Sequence, residues 1–406
     1  MITTSDKIVN DTYIFIPFYM KANSKELPNI VAPPEISKFI DEVTSTSLYE
    51  CNKRISVELQ RKYLGRHKFV VMDDNYDEPV GTCDVDLVLT SHYNSNLHIL
   101  CILFIQNECC ITQIEDQASS KNLRIVDETS KSGETISMYM DKHYNLVQCG
   151  DEKCLICLSK KPEDELELHC MLAAEAYNSV HIDYKVKSDD IKKAANTNLA
   201  EYDFYELYAS FNSIVYISDE IGDDFTANLD TEAAIIFICE ITLFQNAAIS
   251  RTNARIVNKL SDDVDVSLNS IEKLYAEFGK TIIFWDKNIY NYSLAQNLAD
   301  NISLAFKNDK LLSDYYRNQN HLEHIVELKN SISGAREGKI LNLLALILGT
   351  SEIIQLVKSL VGFIQTGNIM LIKVAITSAS FTVLVIVFIA VLRMRKKKKI
   401  SKTYVF

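Results

Sequence analysis

Residues 149–170 hold Cys149, Cys154, Cys157, His169 and Cys170, spaced C-x4-C-x2-C-x12-C with a histidine beside the last cysteine. Three thiolates and an imidazole could hold a structural zinc. The run Cys154-Leu-Ile-Cys157 also reads as an apolar strand, and on that reading the thiols are buried and free. His321 and His324, with Glu323 and Glu327 beside them, have the helical spacing of a cation site or of a solvated face, and the solvated face is the simpler account. Acidic clusters at Asp73-Asp74, Asp219-Glu220 with Asp223-Asp224, and Asp262-Asp263 with Asp265 offer magnesium its oxygen ligands. They are equally the residues of turns and helix caps. The sequence contains no G-x-x-x-x-G-K-[ST], G-x-G-x-x-G, G-x-S-x-G or H-E-x-x-H, so no enzyme activity is expected. One more residue could do chemistry by its placement: Glu352, a carboxylate inside a long apolar stretch.

That stretch, Ile340 to Ile364, is of membrane-spanning length but interrupted by Glu352, Gln355 and Lys358. Leu371 to Leu392 is a second span of 22 residues whose only charge is Lys373. Arg393-Met-Arg395 and the lysines 396–399 follow it, and under the positive-inside rule they anchor that end in the cytosol. Arg336 and Lys339 flank the start of the first span, so the two helices are expected to form a hairpin with both chain ends cytosolic. The alternative for the first segment is an amphipathic helix lying on the inner leaflet. Ala345, Glu352, Ser359 and Thr366 recur every seven residues, with Asn342, Gly349, Gln355 and Gly362 within one helical step of the same stripe. The opposite face carries Leu343, Leu346, Ile347, Ile354, Val357 and Val361. A polar stripe beside an almost purely apolar span predicts an oligomer whose first helices line a central path and whose second helices face lipid. The plainer alternative is that the small residues permit tight helix packing.

The rest of the chain must position this hairpin. Residues 336–406 hold 11 of the 42 Lys and Arg residues and two of the 54 Asp and Glu residues, leaving residues 1–335 with 31 basic and 52 acidic groups, a balance of −21. Such a body repels nucleic-acid backbones and attracts cations. No basic-then-apolar leader opens the sequence, so the body is expected to be cytosolic, with its ten cysteines reduced. Only 11 Gly and 6 Pro occur, which disfavours glycine-rich phosphate loops and short-turned sandwiches. Strand character at 13–18, 69–72, 84–90, 97–105 and 110–114 and a helix from about Ile36 to Leu64 predict an α/β domain over residues 1–160. Leu97–Ile105 is apolar on both faces and should be a central strand. Helices at 163–177, 189–211, 232–260 and 266–288 predict a helical cytosolic region over 161–291. Residues 292–339, free of Gly and Pro until Gly334, predict a continuous stalk helix leading into the first span at 340–364. An outer loop at 365–370, the second span at 371–392 and a basic tail at 393–406 complete the expected organisation.

This order of parts resembles the CorA-like family of divalent-cation channels, anchored in Tyr292–Ile364 and Leu371–Lys399. The family's Gly-Met-Asn motif at the outer mouth is matched here only by Gly367 and Asn368, without the methionine. The resemblance implies a homo-oligomeric ring, a pentamer, in an inner or plasma membrane. It also implies small cations as cargo, Mg2+ or another divalent cation among them, and gating by the cytosolic domain. CorA-like membrane effectors of type III CRISPR defence are opened by a nucleotide messenger, which makes a nucleotide ligand a further expectation, with its pocket unknown. Two other readings stay open: constitutive magnesium transport, and a membrane-tethered receptor or scaffold without a pore.

Overall fold

The structure is a computed structural model. It describes residues 8–21, 27–51, 58–72, 79–109, 123–127, 130–163, 165–173, 189–221, 229–261, 268–328 and 331, together with 342, 343, 357–359, 361, 362, 370 and 373. The chain divides into two compact units, Met1–Leu322 and Glu323–Phe406.

The first unit is built on one mixed sheet. Its strands among the described residues are β1 (Ile8–Met20), β2 (Gln60–Met72), β3 (Pro79–His92), β4 (Leu97–Cys109), β5 (Leu123–Asp127), β6 (Ser130–Thr135), β7 (Leu146–Gln148), β8 (Lys153–Leu158), β9 (Glu206–Ala209) and β10 (Ser213–Ile217). Their order is β6-β5-β2-β3-β4-β1-β8-β10-β9, with β7 also pairing β1. Neighbours run antiparallel except β8 and β10, which are parallel. The two middle strands are apolar on both faces: Tyr13 and Phe15 of β1 join one core, Ile14, Ile16 and Phe18 the other. Both faces must then be covered. Helices α1 (Pro34–Glu50), α5 (Asp230–Ser261) and α7 (Ser293–Ala305) cover one; α2 (Ile136–Tyr144), α3 (Glu165–Ala173) and α4 (Asp189–Ala195) cover the other. The expectation for Leu97–Ile105 holds, since β4 lies mid-sheet between β1 and β3.

α5 is apolar nearly all round, as a buried central helix must be. It is the one helix among the described residues long and apolar enough to cross a membrane, and 83% of its most apolar window is buried in the domain. Its register on the sheet is set by a buried ion pair. Glu240 of α5 receives Arg61 of β2, and the two side chains are 3% and 2% exposed. Arg61 also donates to Ser47 at 2.9 Å and Thr44 at 3.3 Å on α1, while the Thr90 hydroxyl of β3 donates to Glu240. One charge pair thus ties α5 to two strands and to α1.

Several expectations need correction. The helix expected over Ile36–Leu64 ends at Glu50, and residues from Gln60 form β2 instead. Tyr63 and Phe69 of that segment are core residues whose strand pairs with β3, and Gly65, at φ +113°, sits at an irregularity in the pairing that a side chain would strain. The helical region expected over 161–291 is not purely helical, because β9 and β10 complete the sheet; α/β character extends past residue 160. The helix expected over 189–211 ends at Ala195, and Glu206–Ala209 of that stretch forms β9 instead.

The stalk is also interrupted. α7 ends at Ala305, Phe306 is fully buried, Lys307 takes φ 58°, and a new helix, α8, runs over 308–328. Neither Gly nor Pro makes this bend. Asn308 anchors it, donating to the Thr242 carbonyl at 3.0 Å and to Gln245 at 3.2 Å while accepting from Asn246 at 3.1 Å, all on α5. The left-handed residue costs about 1 kcal/mol, which these bonds and the burial of Phe306 offset. α6 (Leu268–Gly279) and short 3-10 turns at 282–285 and 287–289 replace the single helix expected over 266–288.

Replacing Glu240 with Ala leaves Arg61 buried without its counter-charge. We expect the first unit to lose about 3–5 kcal/mol, read as the urea midpoint followed by the fluorescence of Trp285, the single tryptophan. A paired Arg61→Met, Glu240→Leu variant should recover most of that loss.

Candidate functional site

The sheet separates the expected zinc ligands. Cys154 and Cys157 lie three apart on β8, so their side chains enter opposite cores. They cannot share one ion. His169 and Cys170 sit on α3, His169 facing Glu165 at 3.6 Å, and Cys149 follows β7. Burial pushes the Cys149 thiol up to about 12 and raises the Cys154 and Cys157 thiols well above the ordinary thiol range, so all three are protonated. No group of three or more metal-ligating side chains occurs among the described residues. His321, Glu323, His324 and Glu327 are exposed on α8, as the solvated-face account expects.

Of the expected pore stripe, Ala345, Gly349, Glu352, Gln355 and Thr366 lie outside the described residues, as do Gly367 and Asn368 of the outer mouth and all of the second span except Lys373. Asn342, Ser359 and Gly362 are described and helical; Asn342 is exposed, while Ser359 and Gly362 are half-buried. Leu343, Val357 and Val361 of the opposite face are 59%, 54% and 46% exposed.

The first unit contains a cavity of about 500 Å³ that no sequence motif announced. Four pieces of chain line it: the end of α1 (Tyr49, Glu50), the segment before β9 (Glu201, Tyr202, Phe204, Tyr205), the first turns of α5 (from Asp230), and the first turns of α7 with Tyr292 before them. Tyr202 and Phe204 stack at 5.5 Å and 25°, Phe204 meets Tyr205 edge-on at 5.1 Å, and Tyr49 lies 5.4 Å from Tyr292. Tyr202 is 52% exposed and Phe204 47%, high for rings of this size. The local sequence, Glu201-Tyr-Asp-Phe-Tyr-Glu-Leu-Tyr208, alternates acids with aromatics and was the one visible signal.

The cavity is acidic. Glu50, Glu201 and Asp230 line it, and among the described residues no Lys or Arg does. The Oε2 atom of Glu50 is buried without a hydrogen-bond partner, and desolvation raises its pKa. Further into α5, Glu232 accepts from the Tyr13 hydroxyl, and burial followed by the Asp11 carboxylate raises its pKa as well. The α5 N-terminus therefore already faces its own acids. Asn291 closes the cavity's frame: its side chain donates to the carbonyls of Tyr49 at 2.6 Å and Cys51 at 2.7 Å, and its backbone donates to that of Glu50 at 2.7 Å. The end of α1 is thus clamped to the residues that start α7.

Compared with protein-family models, curated proteins and solved structures, the chain matches none. The fold defines a mixed α/β protein with helices on both faces of a large sheet.

A second buried charge lies by the stalk bend. Lys153 is 1% exposed, its Nζ has no hydrogen-bond partner, and it sits 3.7 Å from the Phe211 ring centroid. Desolvation lowers its pKa from 10.5 to about 8, against the pull of Asp151 and Glu152. Between those two values the unfolded chain holds a proton that the folded chain has released, so this group's contribution to stability rises with pH. We expect Lys153→Met to be more stable than the parent by about 2 kcal/mol at pH 7. The gap should shrink as the pH rises toward 10 in urea unfolding; a gap constant with pH would contradict the assignment.

Proposed function

We propose that the chain is a membrane-anchored, homo-oligomeric ion channel of CorA-like organisation, gated by its cytosolic α/β unit. The observation that carries this reading is the C-terminal pair of apolar segments with the lysine block after it. The exposure of Leu343, Val357 and Val361 supports it, because three large apolar side chains on one helical face need lipid or another subunit to cover them. The first unit supplies the other half of a gated channel: a lined cavity at the start of α7, and a chain path through α7 and α8 toward the first span. Glu352 in a ring of subunits would form an acidic girdle that draws cations and turns away anions. The pentameric state, Mg2+ or another divalent cation as cargo, and placement in an inner or plasma membrane with both ends cytosolic rest on the family resemblance.

The half-burial of Ser359 and Gly362 within a single chain favours a second reading, in which the small-residue stripe packs helices and the hairpin only tethers the domain.

Ion flux into liposomes carrying the purified full chain separates the two. We expect Glu352→Gln to assemble normally and to lose cation-over-anion selectivity about tenfold, and Glu352→Lys to abolish cation flux. If both variants conduct like the parent, Glu352 is not in a pore; if the parent carries no flux under any condition, the tether stands.

A further inference from the structure

We propose that the cavity between α1, α5 and α7 binds a small organic cation, a protonated amine or amidine on a flat apolar body, in preference to a nucleotide or any other phosphate ester. The shape and the charge point the same way. Tyr202, Phe204 and Tyr205 give it aromatic faces, and Tyr49 with Tyr292 gives it two more. Such faces hold apolar rings by stacking and attract cations through their quadrupole.

Its polar groups then choose between ligands. Glu50 lines the cavity, and its Oε2 atom is buried without a hydrogen-bond partner. A bound ammonium or amidinium would set a counter-charge beside that carboxylate. A phosphate would meet the carboxylates of Glu50, Glu201 and Asp230, with no Lys or Arg among the described lining residues to neutralise it. The first turn of α7 also lines the cavity, without a side-chain cap, and the three carboxylates offset the pull of that N-terminus on an anion. At about 500 Å³ the space fits a molecule of drug or metabolite size.

Occupancy has a route outward. The ligand would touch Glu50 and Tyr49 on one side of the Asn291 clamp and Tyr292 and Leu294 on the other, so it bridges the end of α1 and the start of α7. That this cation gates flux rests on the channel reading above; that it binds rests on the cavity alone.

The test uses the full chain in lipid nanodiscs, titrated by calorimetry with benzamidinium, with benzoate as its flat anionic counterpart, and with adenosine 5′-monophosphate. We expect benzamidinium to bind at least about tenfold more tightly than either anion. Glu50→Gln and Tyr202→Ala should each weaken it about fivefold or more while leaving the far-ultraviolet circular dichroism spectrum unchanged. Benzoate or the nucleotide binding as tightly as benzamidinium would overturn the proposal. So would a benzamidinium affinity that both variants leave unchanged, or no benzamidinium binding at about 10 mM. Binding without any ion flux in liposomes would keep this site and remove the channel; flux without binding would do the reverse.

Discussion

The buried pair of Arg61 and Glu240 is the constraint on which the first unit depends. α5 is apolar on almost every face, and an apolar helix on an apolar sheet can slide or rotate with little penalty, because hydrophobic contact has no direction. A charge pair with almost no exposure does have direction: among the described residues each partner is held by the other and by Thr44, Ser47 and Thr90. Any shift of α5 by one turn would strand two charges in the core. The pair therefore fixes where α5 lies, and α5 in turn reaches two places: its first turns line the aromatic cavity, and its middle, at Thr242, Gln245 and Asn246, holds Asn308 at the stalk bend.

These two places are joined by α7. At one end Asn291 clamps its approach to the carbonyls of α1; at the other Phe306 is buried and Lys307 is held left-handed. A helix of 13 residues held at both ends thus runs from the cavity to the bend. The bend rests on the Asn308 bonds to α5, which a displacement of α7 would lengthen. Lys153 adds charge there, beside Phe306 and Phe211.

Much of the sheet was legible because its strands carry their signal locally. Leu97–Ile105 is apolar on both faces and is central; Glu232–Leu260, densely apolar from Ala233 to Phe244, is α5. What failed did so where tertiary pairing outweighs local pattern. Gln60–Met72 holds Gln, Arg, Lys and His in a strand whose polar side chains serve the Arg61 network and the Asp86 pair with Arg66, which no periodicity foretells. The bend at Phe306–Lys307 has no Gly or Pro because long-range bonds from Asn308 make it. The zinc spacing was legible and misleading, since a three-residue step along a strand sends two ligands to opposite faces. The cavity draws its walls from segments as far apart as Tyr49 and Leu298. Only the acid-aromatic run at 201–208 hinted at it.

The central claim is that occupancy of the cavity is felt along α7 as far as the bend. Hydrogen–deuterium exchange on the full chain in nanodiscs, with and without saturating benzamidinium, tests it most directly. The account predicts slower exchange not only at residues 49–51 and 291–295, which the ligand and the Asn291 clamp reach, but also at 306–311, where no ligand atom reaches. Protection confined to the cavity walls, with 306–311 unchanged at full occupancy, would contradict it.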